Sequence, residues 1–401
     1  MKRASRGTPA LALMGAAHAR ALVAALLAAV SCVPPTTSPS GGASTPGGDA
    51  LVRRVDAFPV AGADGRRYAL PFLGGSNTPR PQWVDVDGDG DLDLVLQEFT
   101  NRLMYFERVG DDDGEPRFVF DPDGLSDLEI GEWYRFVDVD ADGDPDLLAE
   151  EPFSYVRLYR NRGAGAHPAA FELAADTLRD ASGRPLFADR QNIPNAGDLD
   201  CDGRLDLLIG RTTGTITRYE ATSEMRSGDV PTFEHVTDLF EGIEIIGTVG
   251  PQLPGRDSRH GANTMALVDF DADGDLDLFW GDFFEAGLLL IENTGSCSDP
   301  DLTGTPRPFP LDGPVRTSGF NAPAFGDVDG DGDLDLVVGV LGGSFNANTT
   351  TADNLYLLEQ GPGGTFELRT RRLLGQLDVG SESIPALLDV DRDGDEDLLV
   401  T

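Results

Sequence analysis

Asp85-Val86-Asp87-Gly88-Asp89-Gly90-Asp91-Leu92-Asp93 is the stretch on which the reading of the chain turns. Carboxylates stand at its first, third, fifth and ninth positions, and a glycine stands at the sixth. That alternation lets one short loop curl around a hard cation. Asp85, Asp87, Asp89 and Asp93 can each send an oxygen inward, Gly90 permits the sharp turn, and Asp91 can offer its backbone carbonyl. Calcium takes about six to eight oxygens at roughly 2.3–2.6 Å, most of which such a loop can supply.

The pattern recurs five more times. Asp138, Asp140, Asp142, Asp144 and Asp146 form the second loop around Gly143. Asp198, Asp200, Asp202, Arg204 and Asp206 form the third around Gly203, with an arginine at the seventh position. The fourth holds Asp269, Asp271, Asp273, Asp275 and Asp277; the fifth Asp327, Asp329, Asp331, Asp333 and Asp335; the sixth Asp389, Asp391, Asp393, Asp395 and Asp397. Their first aspartates are 53, 60, 71, 58 and 62 residues apart. Solvated acidic turns have no reason to keep one register six times, so metal binding is expected, with Ca2+ in up to six sites. Magnesium demands tighter octahedral geometry and keeps its waters. The Arg204 cation is expected to weaken the third site.

The surroundings of the loops read as strands. Pro81, Pro194, Pro323 and Pro385 each lie four residues before a first aspartate, where proline suits a strand start. Short unbroken apolar runs follow the loops, such as Leu94-Val95-Leu96 and Leu336-Val337-Val338, as suits strands buried on both faces. A third strand alternates, as in Leu103-Met104-Tyr105-Phe106-Glu107, and a fourth follows in most units, as in Thr365-Phe366-Glu367-Leu368. Four short strands per repeat is the pattern of a propeller blade. The fold class expected is therefore an all-β β-propeller of four-stranded antiparallel blades.

At this point the sequence resembles the FG-GAP/VCBS repeats of integrin alpha-subunit propellers and of many bacterial secreted proteins. The resemblance rests on Asp-x-Asp-x-Asp-Gly-x-x-Asp-Leu and its flanking strands, from about Leu51 onward. The Phe-Gly and Gly-Ala-Pro flanks are only partly kept, as in Ala322-Pro323-Ala324-Phe325-Gly326. It implies a calcium-binding propeller and leaves activity open, because one fold carries many functions. Six blades are expected, with seven as the alternative. The sixth repeat stops at Leu398-Leu399-Val400-Thr401, so the last blade is expected to be completed by N-terminal strands around Leu51–Val55 and Arg66–Leu70.

Ahead of the repeats, Lys2, Arg3, Arg6 and Arg20 precede an apolar run from Ala21 to Val30, which reads as an export signal over residues 1–32. Ala29-Val30-Ser31-Cys32 resembles a lipoprotein cleavage box, with simple cleavage and secretion as the alternative. Residues 33–49 are rich in Pro, Ser, Thr and Gly and read as a tether, leaving 50–401 for the propeller. Net charge is −38, which argues against nucleic acid or an anionic membrane surface as partner. Membrane attachment is then expected only through lipid on Cys32, on the envelope of a bacterium, and the protein is expected to be monomeric.

Three cysteines without a Cys-x-x-Cys pair make a thiolate zinc site unsuitable. Cys201 lies in the third loop and Cys297 follows Ile291-Glu292-Asn293, so both fall on one rim of neighbouring blades. They are either bridged, as suits an exported protein, or two free thiols. Two long connections on the opposite rim, Glu241 to Gly261 and Gly342 to Asp353, are candidates for binding an extracellular protein or glycan. The absence of any nucleophile or acid–base motif points to an adhesion or ligand-binding module rather than an enzyme. A carbohydrate-active enzyme and a purely structural envelope protein stay open as alternatives.

Overall fold

The computed structural model describes residues 54–62, 65–99, 101–112, 115–151, 153–163, 170–244, 246–247, 258–259, 263–343, 352–380, 383–394 and 397–400. The leader and tether lie outside the described residues, as does Asp395. The chain enters through a short pair, Val60–Ala61 and Arg67–Tyr68 (β1, β2). Blade I follows as Arg80–Val84, Asp93–Phe99, Arg102–Asp112 and Glu115–Asp121 (β3–β6). Blade II is Tyr134–Val137, Asp146–Glu151, Tyr155–Asn161 and Phe171–Ala175 (β7–β10). Blade III is Asn195–Gly197, Asp206–Gly210, Ile216–Ala221 and Phe233–Thr237 (β11–β14), and a two-residue pair, Ile246–Gly247 with Ser258–Arg259 (β15, β16), comes after it. Blade IV is Asn263–Val268, Asp277–Asp282, Leu288–Ile291 and Arg307–Phe309 (β17–β20). Blade V is Asn321–Gly326, Asp335–Val340, Leu355–Gly361 and Thr365–Thr370 (β21–β24). A hairpin, Pro385–Leu388 and Asp397–Val400 (β25, β26), ends the described chain.

In every blade the strands follow one another in chain order. The first strands β3, β7, β11, β17 and β21 touch in a circle, and β21 returns to β3. The second strands carry the unbroken apolar runs and are buried on both faces, Leu94, Val95 and Leu96 among them. Apolar clusters fill each gap between blades: I with II around Tyr105 and Leu147, II with III around Leu148 and Leu207, III with IV around Leu208 and Trp280, IV with V around Phe279 and Val338, and V with I around Val337 and Phe106. Adjacent blades come so close that some strand positions tolerate no side chain. A Cβ on Gly281 would lie 1.8 Å from the Asn321 carbonyl oxygen, and one on Gly339 would lie 2.0 Å from that of Pro79.

The ring is therefore a propeller of five blades, not six or seven. The sixth loop sits on the β25–β26 hairpin, whose strands pair only with each other. Leu387, Leu388 and Leu398 there are 64%, 59% and 54% exposed. The N-terminal strands do not complete that hairpin either, since β1 pairs with β2. The reason is packing: blade V already presents its apolar face to blade I, so the circle has no place for another sheet.

What the N-terminal segment does is cover this closing seam. Val55, Leu70 and Leu73 join the cluster between blades V and I, with Leu374 beside them. Leu70 N–H donates to the Gly375 carbonyl at 3.2 Å, Ser76 N–H to the Asp378 carboxylate at 3.3 Å, and Asn354 Nδ2 to the Ser76 carbonyl at 2.9 Å. At the axis, Arg135 donates from Nε to the Pro194 carbonyl at 3.2 Å and from Nη2 to that of Met265 at 3.0 Å. Burial pulls its guanidinium down to about 10. The space left between the inner strands, lined by Gln82, Tyr134, Arg135, Thr264 and Pro323, is only about 10 Å³.

Leu70→Ala is expected to destabilise the ring by about 2–5 kcal/mol in denaturant titration, as for other buried leucines. Deleting residues 385–401 should move the melting temperature by no more than about 2–4 °C, the equivalent of about 1 kcal/mol. A collapse on that deletion would mean that the hairpin is part of the ring.

Candidate metal loops

Each acidic loop joins the first strand of its sheet to the second, so those of the five blades leave the ring at one end. Their internal wiring is the same throughout. The first aspartate accepts the N–H of the sixth-position glycine in all six: Asp85 from Gly90 at 2.9 Å, Asp138 from Gly143 at 2.9 Å, Asp198 from Gly203 at 3.0 Å, Asp269 from Gly274 at 3.1 Å, Asp327 from Gly332 at 3.1 Å and Asp389 from Gly394 at 3.2 Å. In the five ring blades the fifth-position carboxylate accepts the seventh-position N–H, which leaves that residue's carbonyl for other work.

Every sixth-position glycine has a positive φ, between +74° and +101° counting the fourth-position glycines Gly88 and Gly330 as well. Ala141, Cys201, Ala272 and Arg392 adopt the same left-handed region at the fourth position, with φ of 54°, 54°, 60° and 66°. A side chain there costs about 1–2 kcal/mol, so the surrounding contacts must hold the cradle in shape. The spacing identified the glycine turn but gave no warning of this second strained position.

The ninth aspartate sits deepest. Asp93, Asp146, Asp206, Asp277 and Asp335 are all buried. One oxygen reaches the second residue of its own loop: Asp93 accepts from Val86 at 3.2 Å and Asp335 from Val328 at 3.0 Å. The other reaches the third strand or the turn after it: Asp93 accepts from Arg108 at 2.9 Å, Asp146 from Asn161 at 2.8 Å, Asp277 from Asn293 at 2.8 Å and Asp335 from Gln360 at 2.9 Å. Burial pushes these carboxyls up, to about 6 for Asp93, Asp146, Asp206 and Asp335 and to about 7 for Asp277.

Carboxylate oxygens converge in these loops closely enough to hold a metal ion. Those of Asp85, Asp87 and Asp93 lie within 4.8 Å of one another, as do those of Asp138, Asp140 and Asp146, of Asp198, Asp200 and Asp206, and of Asp269, Asp271 and Asp273. The fourth loop fits a cation best. Asp277 Oδ2 and Asp275 Oδ1 are buried there without a hydrogen-bond partner, which is costly unless a positive charge meets them.

The structure also shows a position that motif reading missed. Opposite the ninth aspartate, the third strand or its direct continuation places Glu107, Arg160, Glu220, Glu292 and Glu359 in blades I to V. In the first three blades this residue comes fourteen positions after the ninth aspartate, a signal that becomes readable once the register is known. Glu220 joins Asp200 and Asp202 in a further convergent trio. Blade II departs from the pattern: Arg160 Nη1 stands 2.8 Å from Asp140 and 2.5 Å from Asp146, and all three side chains are buried. A guanidinium already occupies the middle of that loop.

Blade III is intermediate. Arg218 pairs with Asp206 at 2.7 Å and Asp200 at 2.6 Å, and Arg204 pairs with Asp202 and Glu220. Arg204 therefore bonds two of the carboxylates instead of only opposing a cation. In loops four and five no arginine pairs with the aspartates among the described residues.

Cys201 and Cys297 form a disulfide with Cα atoms 5.5 Å apart, joining loop three to the connection after β19 of the next blade. A bridge closing about 100 residues is worth about 4–5 kcal/mol in the chain-entropy account. Of the two connections expected to bind partners, residues 245, 248–257, 260–262 and 344–351 lie outside the described residues.

A family model described as FG-GAP-like repeat matches residues 138–209 and 269–338, two stretches that each run from one metal loop through the second strand of the next blade. No curated protein matches the chain. Among solved structures, a thermostable family-43 glycoside hydrolase is similar at 9% identity and a TM-score of 0.39, over 74% of this chain and 94% of that one. A variant of the Aleuria aurantia lectin in complex with alpha-methyl-L-fucoside is similar at 10% identity and a TM-score of 0.37, over 73% and 95%.

Arg160→Glu should turn loop two into a cation-dependent site. In chelator its melting temperature is expected to fall below that of the parent, by the several degrees that about 1–3 kcal/mol represents, and excess calcium should restore it. Equal melting in both conditions would refute the assignment of Arg160 as the built-in cation. A pH effect follows as well. Unfolded aspartates titrate near about 4, whereas these five bind protons more tightly when folded and cation-free. Stability in chelator should therefore fall as pH rises from about 4 to about 7, and thermal melts across that range would reveal it.

Proposed function

We propose that this β-propeller, which carries FG-GAP-like repeats over residues 138–209 and 269–338, is a calcium-stabilised ligand-binding module that works outside the cytoplasm. The observation that carries the calcium reading is the fourth loop, where the Asp269, Asp271 and Asp273 carboxylates converge and Asp275 Oδ1 and Asp277 Oδ2 are buried without a hydrogen-bond partner. Asp269, Asp271, Asp273 and Asp277 would hold the ion with the Asp275 carbonyl, and Glu292 stands opposite. An all-oxygen donor set of this charge suits calcium. A bound ion supplies positive charge to carboxylates that otherwise repel one another. The chain's own part is to tie the loop to the third strand through the ninth aspartate. Uptake is strongest at blades I, IV and V, weaker at III and weakest at II.

The module acts by recognition of an extracellular protein or glycan, as an adhesion or capture element, and it functions as a monomer. Export through residues 1–32 and a lipid on Cys32 would hold it on the bacterial envelope, with 33–49 as tether. What supports this reading is the sequence pattern of the leader together with the two long connections that the strand order of the sequence assigns to the rim opposite the metal loops.

Calorimetric titration should find divalent uptake below six ions per chain. At a calcium level about ten-fold above Kd, each occupied site adds about 1.4 kcal/mol, so chelation should lower the melting temperature markedly. No uptake would end the calcium reading. Glycan and protein arrays with and without calcium test the recognition step, and turnover of a polysaccharide would replace it with catalysis.

A further inference from the structure

A groove with a volume of about 520 Å³ lies at the ring seam. Its wall brings together Arg66, Arg67, Arg369, Arg371 and Arg372, from segments about 300 positions apart in the chain. The protein has 31 Lys and Arg against 69 Asp and Glu, so five guanidiniums in one groove run against the charge of the whole. Three of the five, Arg66, Arg369 and Arg372, already have partners. Arg372 pairs with Asp353 and donates to the Tyr68 hydroxyl at 3.1 Å. Arg369 pairs with Glu359 at 2.6 Å. Arg67 and Arg371 enter no ion pair among the described residues, and Arg371 stands 5.2 Å from the Tyr356 ring centroid. Apolar lining comes from Pro116, Leu368 and Leu373, and Tyr68 adds a ring.

We propose that this groove binds a short acidic saccharide, with Arg67 and Arg371 receiving its carboxylate or sulfate groups and Tyr68 and the apolar wall packing against its rings. The inference rests on the ligand-binding reading above and gives it a site. Arginine presents planar, bidentate donors to such oxyanions. The cavity falls in the range of small-ligand sites, about 300–1,000 Å³, which a single inorganic anion does not fill. A long polyanion is disfavoured because the chain as a whole carries a net charge of −38. Both walls would be clamped by the ligand, since Arg67 belongs to the N-terminal segment and Arg371 follows β24 of blade V.

The test is titration calorimetry of the full chain in calcium with trigalacturonate, a sulfated disaccharide, inorganic phosphate and a neutral trisaccharide. One acidic saccharide should bind at least about ten-fold more tightly than the neutral sugar and than phosphate, weaken with salt, and raise the melting temperature. Arg67→Gln with Arg371→Gln should lose at least about ten-fold in that affinity. Calcium uptake should stay unchanged, which shows that the variant is folded. The double variant Arg179→Gln with Arg226→Gln, remote from the groove, should bind as the parent does. Binding of phosphate as tight as of any saccharide, or unchanged binding in the groove variant, would overturn the proposal. If acidic sugars fail while an array finds another glycan or protein, the groove is wrong and the recognition reading stands. If nothing binds at all, both fall.

Discussion

A buried carboxylate at the ninth position of each acidic loop is the constraint around which the blades are built. With its two oxygens Asp93 ties the start of its loop, at Val86, to the third strand, at Arg108. Asp335 does the same between Val328 and Gln360. Three segments of each sheet thus meet at one side chain that is ionised only at a cost. An uncompensated buried charge is unfavourable by several kcal/mol, so every blade needs a positive charge close by. The blades meet this need differently. Blade II uses Arg160 and blade III uses Arg218 with Arg204, both built into the chain. Loops four and five have no such arginine among the described residues.

Closure of the ring is a separate problem, and apolar packing solves it. Blade V meets blade I through Val337, Leu357, Trp83 and Phe106. Their outer edge is roofed by Val55, Leu70 and Leu73 and fastened by hydrogen bonds from Leu70 and Ser76. The N-terminal segment thus lies over the joint and adds no strand to a blade. The disulfide between Cys201 and Cys297 fastens blades III and IV at the loop rim in an analogous way. The interior is left solid, with Arg135 bonded to carbonyls of two neighbouring blades.

Much of this was legible in the sequence because it is local and periodic. The four-strand repeat, the doubly buried second strands and the glycine turn followed from spacings within single units, and the structure shows each of them. The number of blades did not follow. Counting loops gave six, yet whether a sixth hairpin joins the circle depends on which surface reaches blade I first, and that is a contact between segments more than 200 residues apart. The special character of blade II was equally hidden. Arg160 lies fourteen residues beyond Asp146 and looks like any alternating strand residue until the pairing of β8 with β9 sets it opposite that aspartate. The cysteines could be placed on one rim from strand order, but their bridging needed coordinates.

The two kinds of charge in this protein bear on different tasks. Carboxylates gathered on one rim create a strongly negative field whose cost falls as cations enter, so occupancy there acts on the stability of individual blades. The arginines at the seam act in the opposite sense. They concentrate positive charge where the N-terminal segment meets the end of blade V, so an anion seated among them would strengthen the seam that closes the circle. Metal and anion would then stabilise different parts of one ring, the first within sheets and the second between them. A metal or an anion that binds the folded state alone would be felt through the shared unfolding equilibrium, without any change in the shape of the blades.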